Sequence, residues 1–449
     1  MIHLKSWIPF SLTGLLAAGC AATSEELALT PPASLPSAAA PPAPSGVVPA
    51  SFQADTPAGP VVVDDLVAVA VNRNPRLARA AFAIDAAQGK VVQAGLYPNP
   101  TLAIQWDEIG DRTGQGGVLN LPQFTQEIVT ARKLSLSQAV AATEANQATL
   151  DLLAERYAVI GDVRGAFYEL YALENRVAIL DELVKLAAEA VKNGEKLLEN
   201  KQIARLDLVQ LQVEYARFQA EADAARQEVP AVRKRLAALI GDPKMAVGAI
   251  AGPFHDVPPY DPERAMEAIL ASHPLVRTAK VGVERAQAAV RRAEVEPIPN
   301  IHFNTGYIRQ YENQSHDFQL GLAASIPSWN RNQGNIRAAK AELGMAIQSV
   351  GKVENALAER AAAAFRTYSA AVKRAELYRK EILPKATETY QLSLEAFKGG
   401  QFEYLRVIAA QRAIAEARLE YNRSLGEAWR AAAELSSLLL EEKWPGTKP

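Results

Sequence analysis

No proline stands between Gln123 and Val229, nor between Lys385 and Trp444. Proline breaks helix interiors, so long alanine-rich tracts without it point to very long helices. From Ile128 to about Leu198 roughly 70 residues run uninterrupted, about 105 Å of helix at 1.5 Å per residue. Along this run Val163, Phe167, Leu170, Leu173, Val177, Leu180, Val184, Ala187 and Val191 recur at steps of three or four. The spacing averages about 3.5, which makes a coiled-coil seam rather than one face of a globular core. An ordinary compact enzyme does not read this way.

The chain also repeats itself. Asn74-Pro75 and His273-Pro274 are 199 residues apart. At the same offset Gln88 meets Gln287, Pro98 meets Pro297, Pro100 meets Pro299, Leu206 meets Leu405, and Gln212 meets Gln411. Convergent helical composition does not keep prolines and distant glutamines in phase, so the protein reads as a tandem duplication. The copies are expected at 61–241 and 274–441, joined by a connection over 242–273 and followed by a tail at 442–449. Each should hold a first helix ended by Pro-x-Pro, two strands, a very long helix, a break and a return helix.

The strands are expected at about 101–109, 117–125, 300–308 and 317–326, where apolar and polar residues alternate. Leu102, Ile104, Ile301, Phe303, Phe318 and Leu320 fall on one face. Strands of this length cross a bilayer when tilted, but four cannot close a barrel. Open edges are not tolerated in lipid. The long helices are expected at about 128–200, 204–240, 335–398 and 403–440, with a kink at Pro384. They too lack neighbours along their length, so strands and helices both demand an oligomer.

At the amino terminus Lys5 precedes an apolar run that ends in Leu16-Ala17-Ala18-Gly19-Cys20. This is the pattern of a signal peptide over 1–19, and Gly19-Cys20 resembles the lipobox of bacterial lipoproteins, with Cys20 the acylated residue. Nine of the 27 prolines fall between Pro31 and Pro60, so residues 20–60 are expected to be an extended tether. Cys20 is the only cysteine, which excludes an intramolecular disulfide and a multi-cysteine metal site. With 48 basic and 50 acidic residues there is no electrostatic footprint for nucleic acid. No hydrolase, zinc-protease or phosphate-loop motif is present. His302 and His316, on or beside the second hairpin, lack a ligand at helical spacing and are expected to be polar-facing. Neither a catalytic site, a metal site nor a cofactor is expected.

The order helix, strand pair, long helix, break and return helix, given twice, resembles the TolC-type outer-membrane efflux family. The carrying motifs are Asn74-Pro75, Tyr97-Pro98-Asn99-Pro100, Ile326-Pro327-Ser328-Trp329-Asn330-Arg331-Asn332-Gln333-Gly334-Asn335 and Leu405 to Arg412. The run from Asn330 to Asn335 is similar to branches serving heavy-metal exporters. The resemblance implies a mainly helical homotrimer: a twelve-stranded outer-membrane barrel continued by a periplasmic tube of helical hairpins. It implies a passive exit duct, lipid-anchored in the outer membrane, with a periplasmic adaptor and an inner-membrane pump as partners. The apolar strand residues would then face lipid. Ile203, Leu206, Gly399, Gly400, Phe402 and Leu405, at the two helix breaks, would dock the adaptor, with glycine letting the chain reverse at positive φ. Asp207 and Arg406 occupy positions where a pore constriction would form. A periplasmic adaptor or a structural coiled-coil lipoprotein is the competing reading, but an adaptor would carry one hairpin rather than two in tandem.

Overall fold

The computed structural model describes residues 60–108, 117–399 and 404–444. The first copy comprises α1 (Val63–Arg73), α2 (Pro75–Gly95), β1 (Thr101–Asp107), β2 (Val118–Ile128), α3 (Lys133–Glu199) and α4 (Arg205–Ile240). The second repeats the order with α5 (Pro262–Ser272), α6 (Pro274–Glu294), β3 (Ile301–Gln310), β4 (His316–Ala324), α7 (Gln333–Leu377), α8 (Leu383–Lys398) and α9 (Tyr404–Leu438). The stretch 242–273, read from sequence as a connection, therefore ends in a helix of its own. Val63 and Pro262 are 199 residues apart, so α5 is the counterpart of α1 and the second copy starts earlier than residue 274.

Local chemistry explains the boundaries. The Asn74 side chain accepts from the Arg76 N–H at 2.8 Å, and Pro75 opens α2 where a missing N–H costs nothing. His273 does the same for α6: its Nδ1 accepts from the Leu275 N–H at 3.2 Å ahead of Pro274. The 67 residues of α3 span about 100 Å without a break. Pro384 is met differently, by a π-helical turn over Tyr378–Ile382 between α7 and α8. Proline lacks an N–H and its ring crowds the carbonyl four residues back, which the wider turn relieves.

The four strands form one antiparallel sheet in the order β1-β2-β3-β4, so β1 and β4 are open edges. The helices keep the same order. Beside the sheet α2 packs on α3, α3 on α6, and α6 on α7; farther along, α4 packs on α3, α3 on α9, and α9 on α7 and α8. One flank of the protomer is thus β1, α2 and α4, and the other is β4, α7 and α8.

The main core lies where α1, α3, α4 and α9 meet the segment before α5. Tyr168 stacks on Trp429 with ring centroids 3.8 Å apart, and Trp444 leans on both. Trp429 donates its indole N–H to the Phe254 carbonyl at 2.7 Å. Arg164 is fully buried there. It donates to the carbonyls of Glu441 and Glu442, each at 2.8 Å, and lies over the Trp444 ring. A buried guanidinium is costly unless its protons are bonded. Here it satisfies carbonyls left open just past α9. Gly161 and Gly426 let α3 and α9 approach: a Cβ on Gly161 would stand 2.6 Å from Ser437 Cβ, and one on Gly426 2.8 Å from Ala172 Cβ. Among the described residues no helix is long and apolar enough to cross a membrane.

Candidate functional site: the sheet faces and the helical tips

Strand register sorts the sheet into two chemically distinct faces. Leu102 pairs with Phe124, Phe124 with Thr305, and Thr305 with Leu320; Tyr307 pairs with Phe318, and Phe303 with Leu322. With Ile104, Trp106 and Ile301 these residues make one face. Much of it is strongly exposed in a single protomer, from 37 % at Ile301 to 86 % at Phe318, while Phe124, Phe303, Thr305 and Tyr307 are half-buried. The opposite face holds Gln105, Asp107, Asn120, Gln123, Thr125, Glu127, His302, Asn304, Asp317 and Gln319. Asp107 accepts from Gln105 at 2.8 Å and from Asn120 at 3.2 Å, and Glu127 accepts from Asn300 at 2.6 Å. The six apolar residues singled out from sequence thus share one face. His302 lies opposite Glu127 on the polar one, whereas His316 lies on the apolar face at its rim. Among the described residues no three metal-ligating side chains converge.

At the far end, the first tip is a tight reversal after α3. The Gln202 N–H donates to the Leu197 carbonyl at 2.8 Å and the Lys201 N–H to the Leu198 carbonyl at 2.9 Å. Lys201 takes φ 57°, the left-handed residue such a motif requires. The reversal folds Ile203 back onto α3, beside Gly194, where only 9 % of it remains exposed. Ile203 therefore belongs to the packing of the tip and not to an outward surface. Leu206 is 67 % exposed and Leu405 44 %.

Gly399 also departs from expectation. It caps α8 at φ −79°, ψ 0°, nearly the conformation of its counterpart Asn200 at φ −82°, ψ 6°. In the first tip the left-handed residue is Lys201, one after Asn200. Gly400, the counterpart of Lys201, and Phe402 lie outside the described residues, as does Cys20. The Asp207 carboxylate accepts from the Ala204 N–H at 3.0 Å, closing the start of α4 where the helix dipole favours a negative charge. Arg406 sits exposed in the first turn of α9.

Residues 265–439 match the family model described as outer membrane efflux protein. That second repeat is similar to the outer membrane efflux protein family. Over 387 residues it is 25 % identical to the cobalt-zinc-cadmium resistance protein CzcC of Cupriavidus metallidurans, covering 85 % of this chain and 90 % of that one. Its fold superposes on CusC, whose structures concern transmembrane channel formation, with TM-score 0.73 and 15 % identity, over 84 % of this chain and 91 % of that one. The outer membrane protein VceC of Vibrio cholerae gives TM-score 0.69 at 17 % identity, over 84 % of this chain and 95 % of that one. The mainly helical fold with a small antiparallel sheet is thus that of outer-membrane channels.

Three features of the chain escaped the sequence. The two return helices are tied near the tip by Arg412, whose Nη2 and Nε reach Glu214 at 2.8 and 3.3 Å, while Glu214 is buried. Residues from different copies, 198 apart in sequence, give no local signal. His273 is held neutral: burial, and then the Arg360 charge, push it down to about 4. Its role as a cap was readable only by aligning it with Asn74. Arg164, an arginine inside an apolar seam, gives no hint by itself of the carbonyls it serves.

Proposed function

We propose that the protein is the outer-membrane exit duct of a tripartite efflux system, working as a homotrimer. The carrying observation is the shared order of open edges. Each protomer is an arc whose β1, α2 and α4 flank is unpaired on one side and whose β4, α7 and α8 flank is unpaired on the other. Identical arcs joined head to tail form a ring if the rotation closes. Three copies supply twelve strands and remove every open edge from lipid. Both flanks carry exposed apolar residues suited to such a joint: Phe82 and Val92 on α2, Val209 and Val213 on α4, Met345 and Ile347 on α7, and Leu392 on α8.

In this assembly Leu102, Ile104, Ile301, Phe303, Phe318 and Leu320 face lipid and the polar sheet face lines the lumen. Leu206 and Leu405 meet a periplasmic adaptor, which joins the duct to an inner-membrane pump. Asp207 and Arg406 stand where neighbouring copies could narrow the mouth. Cys20 carries acyl chains that anchor the mature amino terminus. The duct conducts without performing chemistry. The name of the curated relative makes divalent heavy-metal cations the cargo to test first, and the inward sheet face, with Asp107, Glu127 and Asp317, suits cations.

A strain lacking the gene should accumulate cobalt, zinc or cadmium, and the wild-type gene should restore export. Unchanged accumulation of all three would overturn the cargo. Failure of the purified protein to open aqueous pores in a planar bilayer would overturn the duct itself.

A further inference from the structure

The apolar sheet face carries one formal charge, Arg309, which is also the only arginine or lysine within the four strands. Register places it in the last row of this face before the loops: Trp106 pairs with Leu119, Leu119 with Arg309, and Arg309 with His316. From Ile301 to Arg309 the strand rises about 26 Å. At a tilt of about 40° that is roughly 20 Å along the membrane normal, close to the height of an apolar band. Arg309 therefore sits at one edge of that band. Since the long helices leave from the other end of the sheet, this edge belongs to the leaflet facing away from them.

Its surroundings are built rather than incidental. An Arg309 Nη1 proton is directed at His316 Nε2, 2.8 Å away, and the guanidinium lies 5.6 Å from the centre of the Tyr311 ring. The Tyr307 hydroxyl meets His316 Nδ1 from the other side. Among the described residues Arg309 makes no ion pair with a carboxylate. One guanidinium proton is used on the imidazole, which leaves the rest of the fork for an acceptor beside it. Tyrosine is common at the headgroup level, but an arginine fixed by an imidazole is more specific than a snorkelling one. A guanidinium fork fits the oxygens of a phosphate in pairs.

We propose that Arg309 and His316, flanked by Tyr307 and Tyr311, bind the phosphate of a phosphorylated lipid in the outer leaflet, one site per protomer. This rests on the outer-membrane duct reading above. The test is native mass spectrometry of trimers released from nanodiscs. One disc carries a bis-phosphorylated glucosamine lipid and the other the same lipid dephosphorylated, each with and without inorganic phosphate in the buffer. The wild type should retain up to three phosphorylated lipids per trimer, at least fivefold over the dephosphorylated form. R309Q and H316Q should lose that preference, R309K should keep part of it, and inorganic phosphate should leave it unchanged. Equal retention of both lipids by the wild type, or an undiminished preference in both R309Q and H316Q, would overturn the site. Displacement by inorganic phosphate would overturn the assignment to lipid. If R309Q does not assemble, the two-lipid comparison on the wild type and H316Q decides alone. Absence of any wild-type trimer in the discs would count against the duct reading instead.

Discussion

Trp429 and Trp329 stand a hundred residues apart in the second copy and meet opposite conditions. Trp429 is fully buried, stacked on Tyr168 and hydrogen-bonded to Phe254, whereas Trp329 is 91 % exposed just past β4. The same division runs through the molecule. Its middle closes on itself, with aromatic rings, a buried arginine and small residues that bring α3 and α9 together. Its two ends do not close: the sheet exposes Phe318, Leu320 and Leu322, and the tips expose Leu206 and Leu405. Apolar surface left open in one chain marks a place for something else. The middle is what a single protomer can complete alone; in the assembly proposed above, lipid, other copies and a partner complete the ends.

The sharpest way to break this contrast is at the tips. Replacing Leu206 and Leu405 together with Asp should abolish pump-dependent export while trimers still reach the outer membrane, as measured by export assay and fractionation. If the leucines only close the last turns of packing, trimer yield should fall instead. Normal export by a correctly assembled double variant would remove the docking role. In the middle the effect should be on stability. Trp429→Ala removes a fully buried indole and should cost about 3–5 kcal/mol, read as a lower melting temperature of the detergent-solubilised protein. Trp329→Ala should stay within about 0.5 kcal/mol in the same assay.

A pH scan sharpens the contrast further. His273 is neutral in the folded chain with its pKa down at about 4, from an ordinary value near 6.5. The unfolded chain binds the extra proton first, so the stability from this residue is complete above about pH 6.5 and drains away towards pH 4. His273→Asn, which copies the Asn74 cap of the first repeat, should flatten that part of the profile. An unchanged profile would show that other groups control it. A further small effect, near the tips, is expected from Arg412→Gln. With its arginine about half exposed, the pair with Glu214 should contribute no more than about 1 kcal/mol. Its loss should show as faster amide exchange near residue 214, with the middle of the molecule unaffected.

Much of the architecture was legible because periodicity and duplication act over many residues. Proline-free runs and the 199-residue offset are redundant signals, and the alternation of Phe318, Leu320 and Leu322 survives any single exception. The tips were legible in position but not in detail. Sequence marks where a helix breaks, but the direction of each side chain depends on which residue turns left-handed. In the first tip that residue is Lys201 rather than Asn200, and Ile203 folds inward; in the second, Gly399 is right-handed. The Glu214–Arg412 pair and the Arg164 cluster join segments 198 or more residues apart, and pairing at such distance leaves no trace in local pattern.

A closed duct requires head-to-tail joining of the two open flanks. Since Cys20 is the only native cysteine and acylation as proposed leaves it no free thiol, cysteines placed at Gln105 on β1 and Gln319 on β4 probe that joint directly. Oxidation in outer membranes should give a ladder of cross-linked monomer, dimer and trimer that ends at the trimer, whose mass native spectrometry in mild detergent should confirm. A ladder ending at the dimer, one that continues past the trimer, or a stable monomer in detergent would contradict it.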